Sequence, residues 1–212
     1  MIKYFFVSLF VLGGLLSTAD VYAEALSGKQ LDKAVKKSVK ARQKETKRGK
    51  WNLTGTSLPL KMALDRHYRN MLGNNLEEIV ASVGMCQSLN VCSQQAQNNA
   101  LTFYASAAGS HIRGRVVSDM FNNASADVPE EFDRFYAAYE RLVSQEIKGE
   151  VQFSIAFERP NASGREYQAV YLVDIDKAAS ARMRALQLAV QETEMAQRYA
   201  DKVSEFVREG FK

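Results

Sequence analysis

An α+β fold, with a small, mainly antiparallel three-stranded sheet packed with helices and a long C-terminal helix, follows from three observations. Leu76 to Met85, Glu150 to Arg159 and Glu166 to Asp176 alternate apolar and polar residues at the period of a strand. The last two flank Pro160-Asn-Ala-Ser-Gly164-Arg165, a turn cluster, so they predict a hairpin. The remaining apolar residues recur at helical spacing, most densely over Ser93 to Phe121.

Taken in order, the chain opens with Lys3, the apolar run Phe5 to Leu16 and the small-residue ending Val21-Tyr22-Ala23. That is the pattern of a secretory signal over residues 1–23, with cleavage after Ala23. A membrane anchor is the alternative, but the run falls short of the ~20 apolar residues that span a bilayer. Residues 24–50 read as a basic arm. Lys29, Lys33, Lys36, Lys37, Lys40, Arg42, Lys44, Lys47, Arg48 and Lys50 stand against only Asp32 and Glu45, whereas from Trp51 onward 17 basic residues face 20 acidic ones. The basic character thus belongs to the arm and not to the body. Its weak stripe of Leu31, Ala34, Val35 and Val39 predicts a marginal helix or a flexible tether. Such a segment is either a solvated spacer or a salt-sensitive contact with anionic lipid headgroups or lipopolysaccharide phosphate. Nucleic acid is not expected, because the chain is read as exported and no aromatic platform accompanies the basic run.

Residues 51–212 are expected to form one α+β domain ending in a long helix. Trp51-Asn-Leu-Thr-Gly-Thr is extended, Ser57 is placed to cap a helix with Pro59 in its first turn, and Gly73-Asn74-Asn75 stops it. The apolar face of that helix carries Leu60, Leu64, His67, Tyr68 and Met71, which makes His67 a packed core histidine before it is a functional one. Leu76 to Met85 points Ile79, Ala81, Val83 and Met85 one way. Cys86 and Cys92, the two cysteines of the chain, then close a short loop. In an exported protein they read as a disulfide, stabilising by about 2.4 kcal/mol through loop entropy, with a free buried pair as the alternative.

The helix that follows, capped by Asn90 or Ser93, carries two stripes: Ala96, Ala100, Phe103, Ala107 and Gly114, and Leu101, Ala105, Ala108, Ile112 and Val116. It is therefore expected to pack on both sides. Asp127 with Glu130 around Pro129 makes a capping box for a helix running to Ile147, whose Phe132, Phe135, Tyr136, Tyr139, Leu142 and Val143 form one stripe. In the hairpin, Val151, Phe153, Ile155 and Phe157 share one face, as do Tyr167, Ala169, Tyr171, Val173 and Ile175. Asp176 caps the last helix, Lys177 to Arg208, whose length predicts a contact of its distal half with the Leu31/Val35/Val39 segment or with another subunit.

Chemistry is sparse. The sequence contains no nucleophile elbow, phosphate loop, dinucleotide fingerprint or metalloprotease helix, and no cofactor or catalytic residue is assigned. Asp174 and Asp176 share a strand end, which is an arrangement for binding a cation or for acid/base work, but a helix cap at Asp176 and a solvent-facing strand residue at Asp174 explain the pair better. Arg113 and Arg115 beside His111 are candidates for an anion patch, or simply arginines snorkelling over the domain edge.

The segments QAQNNALTFYASAAGSHIRGRV, LVSQEIKGEVQFSIAFERP and REYQAVYLVDIDKAA, in this order over about Trp51 to Leu188, resemble the family of small bacterial envelope lipoproteins that includes the twenty-kilodalton Helicobacter lipoprotein and FlgP. The resemblance implies a compact α+β domain and a non-enzymatic structural or binding role at the outer membrane or cell surface; the expected partner is an envelope protein, or a second copy through the long stripe of the C-terminal helix. It supplies no catalytic residues. Members of that family usually carry a lipid-modified cysteine at the cleavage site where this chain has Glu24, so charge in the arm is expected to stand in for the lipid. A periplasmic or envelope enzyme is the alternative reading.

Overall fold

The computed structural model describes residues 28–120, 130–195 and 197–210. The expected signal segment and the Asp127/Pro129 capping box lie outside them. The order of elements is α1 (Gly28–Arg48), β1 (Asn52–Thr54), α2 (Leu60–Gly73), β2 (Leu76–Cys86), α3 (Leu89–Arg115) with a π-helical turn (Val116–Met120), α4 (Glu130–Ile147), β3 (Gln152–Asn161), β4 (Gly164–Asp174), α5 (Ile175–Glu192) and α6 (Gln197–Glu209).

The fold is α+β, but the sheet has four strands, not three, all antiparallel in the order β1-β3-β4-β2. The extra strand is the Trp51 segment, whose Asn52, Leu53 and Thr54 pair with Glu158, Phe157 and Ala156. Three residues are too short a run for alternation to show. In the hairpin, Gly164 holds φ +151°, and a Cβ there would collide with the Cys86 carbonyl. The glycine is thus required both by its backbone and by the close approach of β2.

Helices cover both faces of this sheet. On one face, Ile79, Ala81, Val83, Ala156, Ala169, Tyr171 and Val173 join α3, α4, α5 and α6 in the larger core. On the other, Ile155, Phe157 and Val170 meet Val35 and Val39 of α1 and Ala63 and Leu64 of α2 in a smaller one. The basic segment is therefore neither marginal nor a tether: it is a 21-residue helix with Val35 fully buried, and a boundary at residue 50 would cut through a shared core. Lysine stems obscured this in the sequence, because four apolar residues in a Lys-rich run give little hydrophobic signal.

Two bulges redirect side chains. Between Phe153 and Ile155 the β3–β4 register shifts at Ser154, so Phe153 lies opposite Tyr171 and is 50% exposed, while Ile155 and Phe157 enter the smaller core. The expected common face of these residues is thereby split. A second shift between Val83 and Cys86 buries Cys86 and leaves Met85 exposed. Cys86 and Cys92 form a disulfide with Cα atoms 5.5 Å apart.

Helix ends differ in detail from expectation. Pro59, and not Ser57, occupies the cap position of α2, and its carbonyl accepts from the Met62 and Ala63 amides. Ser88 caps α3 by accepting from the Val91 amide, in place of Asn90 or Ser93. Asp174 caps α5 by accepting from the amides of Asp176 and Lys177, leaving Asp176 in the first turn. Along α3 the Leu101, Ala105, Ala108, Ile112 and Val116 stripe is buried, but Phe103, Ala107 and Gly114 on the other are exposed.

The long C-terminal helix is in fact two helices. Glu194 takes a left-handed φ of +51° between them, and α6 turns back so that Gly210 lies beside the Arg182 side chain of α5. Val203, Phe206 and Val207 of α6 are buried in the larger core, so its apolar stripe packs on α3 and α5 and not on α1.

Candidate functional site: the basic face of the first helix

Helix α1 is two-sided. Val35, Val39 and Thr46 face the sheet and α2, and the lysines lie opposite. Lys29, Lys33, Lys36, Lys40, Lys44 and Lys47 advance by three or four residues at a time, and with Lys37 and Arg48 they fall within an arc of about 120° at ~100° per residue. All eight are exposed, and among the described residues none forms an ion pair. At ~1.5 Å per residue the stripe runs for nearly 30 Å. Lys50 is exposed just beyond the helix, at φ +55°.

Arg42 departs from the other nine expected basic residues. It turns inward, donates to the Gln168 side chain at 2.8 Å, lies 5.3 Å from the Phe157 ring centre and pairs with Glu45 at 3.5 Å. Asp32 is likewise engaged, because the Arg69 guanidinium at 2.8 Å holds its carboxyl below the usual range. The acids of α1 thus do not neutralise the lysine face.

At the C-terminal end of the helix the stripe meets an apolar recess. Lys50 and Trp51 donate their amides back to the Lys47 and Thr46 carbonyls, which folds the Trp51 side chain under α1. Arg159 lies over the indole at 4.6 Å, donates to the Gly49 carbonyl and pairs with Glu166 at 2.7 Å. A groove of about 680 Å³, largely open to solvent, lies here between Lys40, Gln43, Lys44, Lys47, Thr46, Trp51 and Leu60. A smaller one of about 130 Å³ lies between Arg42, Glu45, Trp51, Phe157 and Gln168. Sequence reasoning missed this recess. Its signal was the Trp51 that directly follows the basic run, read there as the start of the domain and not as its aromatic floor.

The other candidate residues serve the scaffold. Arg113 lies over the Tyr136 ring at 4.7 Å, and Arg115 pairs with Asp119 and Glu209 at 2.7 Å each, so neither is held out as an anion patch. Burial, then Arg115 and Arg182, push the His111 imidazole below its ordinary value. His67 is 2% exposed and spans the sheet: its Nδ1 is 2.8 Å from Ser154 Oγ on β3, and its Nε2 is 3.0 Å from Glu78 Oε2 on β2, with β4 between those strands. Neither cavity is lined by His67, His111, Asp174 or Asp176. Among the described residues no group of three or more His, Cys, Asp or Glu is placed to hold a metal, and no helix is long and apolar enough to cross a membrane.

No protein-family model, curated protein or solved structure matches the chain. The resemblance to envelope lipoproteins therefore rests on the sequence pattern alone.

Proposed function

We propose that the protein is an exported, non-enzymatic binding module of the bacterial envelope, held against an anionic surface by the basic face of α1 while the rest of the domain engages an envelope protein. The observation that carries this reading is the array of eight unneutralised basic side chains on one face of a helix whose opposite face is buried. A flexible arm would lose conformational freedom on binding, whereas a helix already fixed to the sheet presents its charges in place. At ~1 kcal/mol per basic residue near an anionic leaflet, four or five engaged lysines give reversible attachment, screened over a Debye length of ~8 Å.

The secretory pattern of residues 1–23 and the resemblance support an envelope compartment for this reading. The enzyme alternative draws on the Ser154–His67–Glu78 series, but that imidazole is buried and neither cavity reaches it. Co-sedimentation of the full chain with vesicles tests the proposal. Anionic vesicles should retain the protein at low salt and release it at high salt, and neutral vesicles should retain less. Equal retention on both would overturn it.

A further inference from the structure

The basic face explains attraction to an anionic surface but not the recess beside it. A surface that binds only charge has no use for a mostly apolar open groove of about 680 Å³, a volume within the range of roughly 300–1,000 Å³ found for small-molecule sites. Its lining is Trp51 and Leu60 with Lys40, Gln43, Lys44, Thr46 and Lys47, and the surface it presents is mostly apolar, as exposed lysines offering their methylene stems would make it. Trp51 is fixed from behind by Arg159 and the Gly49 segment, so the recess is already formed in the isolated chain.

We infer that this recess takes the aliphatic chain of a single anionic amphiphile, an acyl-chain lipid of the surface to which α1 binds, with its anionic head held by Lys40, Lys44 and Lys47. The inference rests on the proposed function and deepens it: the stripe supplies attraction, and the recess supplies selection for a chain bearing an anionic head. Two features favour this ligand over a free anion or a neutral apolar molecule. The lining is mostly apolar, which gives a bare anion little to bind beyond the lysine charges. Three lysines, Lys40, Lys44 and Lys47, belong to the lining and none of them is in an ion pair among the described residues, which favours an anionic head over a neutral one.

Trp51 is the only tryptophan in the sequence, so its emission reports the recess directly. The full chain is titrated with dodecyl phosphate below its micelle concentration, with dodecyl maltoside and inorganic phosphate as comparisons. Dodecyl phosphate should shift Trp51 emission to the blue at saturation, the maltoside should bind at least about tenfold more weakly, equivalent to the loss of one charge-assisted contact, and inorganic phosphate should leave emission unchanged. In Leu60→Asp the wall becomes charged at the first residue of α2, where an acid is compatible with the helix dipole. That variant should lose the dodecyl phosphate response yet keep salt-sensitive retention on anionic vesicles. An absent shift, the same response in Leu60→Asp, or saturation by inorganic phosphate would overturn the recess as an acyl site. Loss of vesicle binding by the unaltered chain would instead overturn the proposed function.

Discussion

His67 is buried, yet both of its ring nitrogens have partners, Ser154 on one side and Glu78 on the other. Its side chain ties α2 to two strands that are not neighbours in the sheet. Replacing it with alanine leaves a cavity and two polar groups short of a partner, so His67→Ala should lower stability by about 2–4 kcal/mol, read by denaturant unfolding. A loss below about 0.5 kcal/mol, the size of an ordinary surface substitution, would show that the contacts are incidental. The sequence placed His67 correctly on the apolar face of its helix, because position on a helix follows from spacing. Its partners were not legible. Ser154 reaches it only through a bulge, and a bulge leaves no mark in a pattern that reads as clean alternation from Val151 to Phe157.

At the scale of elements, α1 matters most. Its backbone hydrogen bonds are covered on one side by the smaller core, so amides from about Leu31 to Thr46 should exchange slowly, at rates approaching those of α2. Exchange as fast as an unstructured peptide would restore the tether and remove the rigid charged face. Removing residues 28–50 is not a clean test of function, because it strips Val35 and Val39 from Leu64, Ile155 and Phe157. Substituting charges while leaving the buried face intact is the sound alternative. The hairpin and the aromatic face of α4 were legible because they carry strong period-2 and period-3.6 patterns. Strand β1 and the division between α5 and α6 were not. The first is three residues long, and the second turns on one left-handed residue, Glu194, with neither glycine nor proline to announce it.

The whole molecule packs two helical layers on one sheet, and its tyrosines follow from that. Burial raises the hydroxyls of Tyr68, Tyr104, Tyr136 and Tyr171 from 10.0 to about 12, and pushes that of Tyr139 up further. Between those values the folded chain keeps protons that the unfolded chain releases. Stability is therefore complete below pH 10 and falls as pH rises past it. Alkaline titration should show loss of helical circular dichroism together with the appearance of tyrosinate absorbance, and full tyrosinate formation in a chain that stays folded would contradict this burial.

The same arrangement, one helical layer turned outward with its lysines, is the basis for the proposed attachment. The most direct test compares the full chain with a variant in which Lys33, Lys36, Lys40, Lys44 and Lys47 are all glutamine, after circular dichroism confirms equal helix content. At ~1 kcal/mol per basic residue, the variant should bind anionic vesicles at least about a hundredfold more weakly at low salt and lose most of its salt dependence. Undiminished, salt-sensitive binding by the five-glutamine variant would contradict the account and place the contact elsewhere on the molecule.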